Sequence, residues 1–338
     1  MTNKIDFNEP CPCGSGKVYS DCCWLNELLL EKKRDSKAPF EELKKAMREQ
    51  NFQSLEEANR YADEVTTRHN KEPQTAFLSL SPEQLANMMY FPFEATADVV
   101  SINTELTPDT FQGIPIVKNI IFFLTALAKE EPLKSTTKGN LPRAFAERLF
   151  REIDDSRFKE WIKFRSEDDS LKILSLRHVL TLCGWIKKRK QHFTLTQKGR
   201  QILSQGFCGE HFFHLLQTYV RRFNWSFQDG YPEFRMIQGA FLFSLYLLHK
   251  KAAKFTEDLS LFSDFVRAFP ETVLEADDRY TSLFEYTARC YSLRFLERFC
   301  EYFGFVESRK KELKESFRDQ FFLRTSPFFK KYFIWKSS

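Results

Sequence analysis

The sequence lacks any apolar run long enough to cross a bilayer. Its longest apolar block, residues 241–248, is far short of the roughly 20 residues that a spanning helix needs. The N-terminus also lacks the basic start and apolar segment of a secretory signal. These absences exclude an integral membrane protein and predict a soluble, cytoplasmic protein that is not exported by the usual route.

Familiar catalytic motifs are missing as well. There is no nucleophile elbow, no HExxH zinc-protease motif and no glycine-rich dinucleotide fingerprint. The run Gly14-Ser15-Gly16-Lys17 has only a superficial likeness to a phosphate loop, because it lacks the preceding strand, the four-residue spacing and the following Ser or Thr. No residue stands out as catalytic, so we predict a non-enzymatic protein. A hydrolase or toxin with an unrecognised active site is the alternative.

Cysteines are present and unevenly placed. Four of the eight fall within thirteen residues, around a glycine-rich turn: Cys11, Cys13, Cys22 and Cys23. A disulfide between neighbours in this set would close a very small strained ring, because bridged residues need Cα atoms roughly 4.4–6.8 Å apart. Cross-pairing stays open, but a shared metal ion is the easier solution. The other four cysteines, in a chain without a secretion signal, are predicted to be buried thiols.

A set of four thiolates with no open position is typical of structural zinc sites. We therefore predict one zinc ion at the four clustered cysteines, with an iron centre as the alternative. Metal binding would supply the folding energy of a turn with little apolar content, on the order of 10 kcal/mol. Asp21 is predicted to cap a helix that opens at Cys22 and Cys23.

The spacing of this segment resembles a known family. Cys11-Pro-Cys13-Gly-Ser-Gly-Lys17, then Tyr19 and Cys22-Cys23, is similar to the SEC-C metal-binding motif, a module at the C-terminus of the SecA translocation ATPase. In SecA the last ligand is often a histidine, whereas here it is Cys23. The resemblance covers about 25 residues and implies a zinc knuckle that contacts another macromolecule, a protein or ribosome-associated partner.

Apolar residues at helical spacing dominate the rest of the chain, and 37 phenylalanines indicate closely packed helices. The predicted fold is mainly α, in four parts: a zinc knuckle plus helix at 1–35, a helical region and acidic connection at 36–114, a winged-helix-like basic domain with a small β-hairpin at 115–205, and a helical bundle at 206–338. Helices are predicted at 24–35, 40–50, 54–69, 116–128, 142–152, 171–183, 209–223, 233–250, 257–268, 271–288, 289–305 and 310–322. Pro39 should separate the first two.

Two segments carry local signals. Ser81-Pro82-Glu83-Gln84 is a capping box that should start a helix. Together with the later turn at 133–143, it is similar to a region of uncharacterised bacterial proteins without an assigned activity. In that turn Gly139 should adopt a left-handed conformation, and Asn140 should cap the next helix.

Residues 171–205 resemble the end of a winged helix-turn-helix: helix, glycine, basic hairpin, Leu-Thr-x-x-Gly and helix. Net charge over 116–208 is +9, which favours a polyanionic partner. The resemblance implies that helix 171–183 could contact nucleic acid through Lys172, Arg177 and His178. Phosphate would be contacted by Lys187, Lys188, Arg189, Lys190, Lys198 and Arg200. The alternative is a protein-docking module with a solvated hairpin tip.

Cys208, His211 and His214 share one helical face and could bind a second metal ion. No fourth ligand is evident, so packing residues are the simpler interpretation. The sequence as a whole predicts a zinc-binding adaptor that contacts macromolecules through its knuckle and its basic segment. A DNA-binding protein of the transcription-factor kind is the first alternative.

Overall fold

The structure is a computed structural model that describes residues 5–49, 52–96, 98–154, 159–161, 163–276, 282–311 and 320–336. The fold is mainly α, as predicted. The described α-helices are α1 (Cys23–Glu49), α2 (Leu55–Lys71), α3 (Pro82–Tyr90), α4 (Pro115–Glu130), α5 (Arg143–Ile153), α6 (Leu171–Leu182), α7 (Gln197–Gln205), α8 (Gly209–Arg221), α9 (Arg235–Gly239), α10 (Phe241–Lys251), α11 (Asp258–Ala268), α12 (Leu283–Tyr291) and α13 (Pro327–Tyr332). A π-helix, Ser292–Glu301, continues α12.

Eight short strands form three antiparallel sheets in the described residues. They are β1 (Val100–Ile102), β2 (Leu133–Lys134), β3 (Ile186–Arg189), β4 (His192–Leu195), β5 (Thr256–Glu257), β6 (Val306–Lys311), β7 (Gln320–Thr325) and β8 (Phe333–Trp335). The sheet orders are β1-β8, β2-β4-β3 and β5-β7-β6. Strand β1 pairs with β8 in the register Val100 to Trp335, so two distant parts of the chain share one sheet.

The predicted helix at 310–322 is wrong where the structure describes it, because β6 and β7 occupy its two ends; residues 312–319 lie outside the described residues. In β7 the side chains of Phe321, Leu323 and Thr325 are buried while their neighbours are not. This period of two is the signature of a strand with one buried face.

Helix α1 corrects a second prediction. Pro39 was expected to end one helix and separate it from the next, yet α1 runs through it without a break. A proline inside a helix removes one backbone hydrogen bond, to the carbonyl four residues earlier, and crowds that carbonyl. That carbonyl belongs to Asp35, within the exposed stretch 33–38, where water is available to it. The cost is therefore tolerated at the surface.

Other helix boundaries follow the predictions to varying degrees. The capping box at Ser81 is present, with its hydroxyl accepting from Gln84 N and Gln84 accepting from Ser81 N. The predicted helix 233–250 is divided at Ala240 into α9 and α10. The start of the predicted helix 271–288 is a 3₁₀ segment, Pro270–Glu275, and residues 277–281 lie outside the described part. Most of the predicted helix 289–305 is the π-helix.

The predicted helix, hairpin and helix over 171–205 are present as α6, β3-β4 and α7, while their winged-helix interpretation stays a prediction. Gly184, at φ 69°, follows the end of α6, and Lys190 and Gln191, at φ 45° and 59°, form the two-residue hairpin turn. Gly139 is left-handed at φ 85°, as predicted. The expected cap at Asn140 is wrong: α5 starts after Pro142, and the Asn140 amide donates to Asp168.

One continuous cluster of buried side chains runs through these elements. Phe212 on α8 illustrates it, because its ring lies 5.3 Å from Phe111, 5.7 Å from Phe303 and 4.9 Å from Tyr332. Aromatic rings thus connect the segment before α4, the π-helix region and the C-terminal helix α13. In the part of the chain that the structure describes, no helix has the length and apolar character to cross a membrane.

Candidate metal centre and basic hairpin

The N-terminal turn is closed by local backbone hydrogen bonds. Cys11 N donates to Lys17 O at 2.8 Å, and Gly14 N donates to Cys11 O at 3.1 Å. Gly14 and Gly16 adopt φ values of 78° and 76°, which are costly for residues with a Cβ atom. The glycines therefore let the backbone reverse and bring the first two cysteines against the start of α1.

The turn brings all four predicted ligands together. The Sγ atoms of Cys11, Cys13, Cys22 and Cys23 all lie within 4.8 Å of one another, and this is the one such group found in the described residues. Sulfur atoms bound tetrahedrally at about 2.3 Å from zinc would lie roughly 3.8 Å apart, so the observed separations suit a single ion. The Sγ atoms of Cys13 and Cys22 are 3.5 Å apart, and the cysteines are free thiols rather than disulfides.

The electrostatics of the four thiols also fit a cation. Hydrogen bonding by Ser15, and then by Cys11, lowers the pKa of Cys13 to about 6. Hydrogen bonding with Cys11 and then Cys13 raises the pKa of Cys23 to about 12. Cys13 therefore loses its proton readily, whereas the neighbouring thiols oppose ionisation of Cys23. A bound cation would remove that opposition, because metal ions bind cysteine as thiolate.

The family comparison agrees with this geometry. Residues 8–25 match the SEC-C motif. Residues 112–207, which include α4 to α7, match the Y4jL N-terminal domain. No curated protein and no solved structure matches the chain. The predicted resemblance to a SEC-C motif joined to a second bacterial family is thereby confirmed, and the four cysteines belong to a metal-binding motif.

The SEC-C motif is packed onto the C-terminal half of the protein. The rings of Phe7, Trp24 and Phe284 lie 4.8 to 5.3 Å from one another. Asp21 was predicted to cap its own helix, but its carboxylate instead accepts from Leu283 N and Phe284 N at 2.7 and 2.9 Å. It therefore caps the N-terminus of α12, a role that local sequence could not reveal.

The three residues predicted to read nucleic acid from α6 have neighbours within the protein. Arg177 pairs with Glu167, and the side chains are 11% and 0% exposed. The half-buried ring of His178 lies 5.3 Å from Phe227, and burial lowers the pKa of His178, which keeps the imidazole neutral. The ammonium of Lys172 lies 5.2 Å from the Tyr302 ring. All three are therefore engaged with other parts of the fold.

The six cations predicted on the hairpin and α7 fall into two groups. Lys188 donates to Gly139 O at 3.2 Å, and Arg200 pairs with Glu131, whose carboxylate also accepts from Leu195 N. The other four are exposed and have no ion pair among the described residues: Lys187, Arg189, Lys190 and Lys198.

The sequence did not identify Glu131 and Glu167 as partners of Arg200 and Arg177. The available signal was that residues 170–209 contain no acidic residue. Any ion-pair partner of the basic residues in that stretch must therefore come from another part of the chain.

The possible second metal site does not form. Cys208 Sγ lies 3.1 Å from His211 Nδ1, but His214 Nε2 is 2.9 Å from the carbonyl oxygen of Cys183. Within the described ranges no second group of three metal-ligating side chains converges. What remains is a thiol paired with an imidazole at the start of α8.

Proposed function

We propose that this protein is a zinc-dependent adaptor that contacts macromolecules through its SEC-C motif and its basic hairpin. The observation that carries the proposal is the closure of four sulfurs around one point, all within 4.8 Å of each other. Four thiolates leave no coordination position for substrate, which makes the ion structural rather than catalytic. Zinc is the usual occupant of such closed sites, and iron is the alternative for the same ligands.

The exposed part of the motif supports a partner-binding role. Residues 12–17 are exposed, while Trp24 and Leu25 behind them are buried against the body of the protein. The ion would hold this loop in one conformation, and a preorganised loop loses less conformational entropy when a partner binds. The loop is therefore available to another macromolecule on one side and anchored on the other.

The hairpin supports a second contact, with a polyanion such as nucleic acid. Lys187, Arg189, Lys190 and Lys198 are exposed on β3, on its turn and on α7, and phosphate is bound by side chains of this kind. A transcription-factor-like alternative would need α6 in the major groove. The engagement of Arg177 and His178 disfavours that alternative and leaves the hairpin as the better contact.

A hydrolase or toxin is the other alternative from the sequence. The Cys208 and His211 pair is the observation that would favour it, since a thiol beside an imidazole can serve as a nucleophile. Neither residue lines the large groove between α6 and the π-helix. The pair by itself does not establish catalysis.

The adaptor proposal is tested by capture of partners with zinc-loaded protein from lysate, with and without nuclease. We expect Cys13→Ser with Cys22→Ser to lose zinc and the nuclease-resistant partner, and Lys187→Glu with Arg189→Glu to lose only nuclease-sensitive material. Lys44→Glu with Lys45→Glu, the same charge change on exposed α1 residues, is the control. Capture that is identical for all variants would refute the proposal.

The hairpin contact is measured separately by fluorescence anisotropy with labelled duplex DNA and RNA over a salt series. Binding should weaken steeply with salt, with a log-log slope of roughly 0.9 per phosphate contacted on duplex DNA. The variant Lys187→Glu with Arg189→Glu should reduce that slope by about the amount that two phosphate contacts contribute. The α1 control should have the same slope as the unmodified protein. Absence of binding at low salt would exclude the polyanion contact and leave the SEC-C contact standing.

A further inference from the structure

A groove of about 830 Å³ lies between α6 and the π-helix. Leu176 and Val179 of α6 line one wall, and Leu293 and Arg298 of the π-helix line the other. This volume is within the range of small-molecule sites, roughly 300 to 1,000 Å³. The groove joins the part of the chain that matches the Y4jL N-terminal domain to the C-terminal half.

The wall formed by the π-helix is unusual. Its ten residues, Ser292–Glu301, follow a hydrogen-bond pattern that is rare in proteins and is found frequently at functional sites. In this wider helix, residues four and five apart share a face. Leu293, Glu297 and Arg298 therefore line the groove together, with Glu301 and Tyr302 one turn further on. The helix form thus gathers polar and apolar groups along one wall.

The floor of the groove is aromatic. It includes Tyr219, Phe223, Trp225 and Phe227. The polar atoms of the floor are already satisfied within the protein, because Tyr219 OH donates to Arg298 O at 3.0 Å and Trp225 Nε1 donates to Tyr219 O at 3.1 Å. What these largely buried residues present to the groove, with Tyr219, Phe223 and Trp225 3 to 8% exposed, is therefore apolar, and flat aromatic bodies pack well on such surfaces.

Two guanidinium groups meet one carboxylate beside this floor, in a groove whose lining is otherwise balanced in charge, with Asp154, Asp169, Glu297 and Glu301 against Lys172, Arg294, Arg298 and Lys310. The buried carboxylate of Asp229 makes two hydrogen bonds to Arg294, at 2.6 and 2.9 Å. A second guanidinium, that of Arg298, reaches the same carboxylate only at 3.7 Å and is 30% exposed. One carboxylate thus faces two guanidinium groups. The neighbouring Glu297 is paired with Lys310 at 2.9 Å, and Glu301 accepts from Ser308 at 2.6 Å.

The ionisation of Asp229 is consistent with this arrangement. Burial acts to raise its pKa, but the hydrogen bonds from Arg294 and the charges of both arginines outweigh burial and lower it. Asp229 is therefore an anion whose charge is balanced by Arg294. Among the described residues the Arg298 guanidinium makes no ion pair closer than 3.7 Å, which leaves N–H groups for a further anion, and a guanidinium binds carboxylate or phosphate in a bidentate geometry.

We propose that this groove binds a small organic anion, with a flat aromatic body on the floor and a carboxylate or phosphate on Arg298. The groove shares no residue with the SEC-C motif or the basic hairpin, so ligand binding there is independent of the adaptor function. A ligand in this position would contact both α6 and the π-helix, and would therefore stabilise their packing.

Isothermal titration calorimetry of the full-length protein tests the proposal with three probes of one shape. These are 2-naphthoate, 2-naphthyl phosphate and the neutral 2-naphthamide. We expect one site, with at least one of the two anions binding at least tenfold more tightly than the amide. The identity of the tighter anion distinguishes a carboxylate ligand from a phosphate ligand. Failure of all three probes to bind, or equal binding of anions and amide, would overturn the proposal.

Variants locate the site. Arg298→Gln should remove the preference for the anion, Arg298→Lys should keep part of it, and Arg151→Gln, at an exposed arginine outside the groove lining, should change nothing. Ser175→Trp places an indole in the groove and should abolish binding of all probes while circular dichroism shows a folded protein. Unchanged binding in folded Arg298→Gln or Ser175→Trp protein would also overturn the proposal.

Discussion

The carboxylate of Asp21 accepts a hydrogen bond from the backbone N–H of Leu283, 262 residues further along the chain, at 2.7 Å. The same carboxylate accepts from Phe284 N, and Ser282 Oγ lies 3.2 Å from it. A residue next to Cys22 of the SEC-C motif thus satisfies N–H groups at the start of α12, where the positive end of the helix dipole favours an anion. The metal motif and the C-terminal half are connected through this cap.

The first prediction concerns that cap. Asp21→Ala removes the acceptor for two backbone N–H groups, and loss of an N-terminal cap costs about 0.5–2 kcal/mol. We expect the midpoint of urea unfolding to fall accordingly while zinc content stays at one ion per chain. Asp35→Ala, at an exposed position of α1, should change neither quantity. An unfolding midpoint that is the same for both variants would contradict this role of Asp21.

A second prediction concerns removal of the metal. Without the ion the four-cysteine turn loses its main source of folding energy, and Asp21, which precedes Cys22, loses its fixed position. Chelation should therefore speed hydrogen exchange at the amides of Leu283 and Phe284, as measured by mass spectrometry of peptides from α12. Amides of α6 are the internal reference and should be unaffected. Equal exchange in α12 with and without chelator would be the contrary result.

The third prediction concerns the buried pair of Asp229 and Arg294, which are 0% and 1% exposed. Asp229→Ala leaves the buried guanidinium without its carboxylate, and breaking a buried pair in this way costs about 3–5 kcal/mol. Glu233→Ala is the control, because it removes an ion pair with Arg235 whose side chains are 62% and 86% exposed. That change should cost less than about 1 kcal/mol. Urea unfolding of the two variants provides the comparison.

The fourth prediction ranks the thiols outside the metal motif. Burial raises the pKa of Cys183 and Cys290 to about 12, and that of Cys300 well above its usual value. These three thiols stay protonated at neutral pH and are shielded. Cys208 is half-buried, precedes α8 at the N-cap position and lies beside His211 Nδ1, which are features of reactive thiols.

Iodoacetamide should therefore modify Cys208 first in native, zinc-loaded protein, as read by peptide mass spectrometry. His211→Gln should slow the reaction several-fold by removing the proton acceptor, whereas His69→Gln, on α2, should leave the rate unchanged. Faster labelling of any of the three buried thiols would show that burial does not control their reactivity.

The cysteine cluster was predictable from sequence because everything that builds it is local. The four cysteines span thirteen residues, and the two glycines that reverse the backbone lie between them. The capping box at Ser81 is a local device of the same kind, and it too was predicted correctly. Interactions between residues that are close in sequence can be predicted, since the spacing alone decides which groups can contact each other.

Features that depend on distant partners were missed. Nothing near Asp21 indicates that it caps a helix in the other half of the protein, and nothing near Arg177 identifies Glu167 as its partner. The predicted helix 310–322 took in the first half of β7, because the pairing of that strand with β5 and β6 is a tertiary property. Pro39 was expected to break a helix because its surface position, which lowers the cost, is invisible in one sequence.

The pairing of β1 with β8 has a consequence for the timing of synthesis. Val100 meets Trp335 only after about 235 further residues have been made, which takes roughly 10 to 50 s at 5–20 residues per second. Until then the emerging chain holds an unpaired strand edge, and such edges promote aggregation. The newborn polypeptide therefore passes through an interval in which a chaperone at the exit tunnel would protect it.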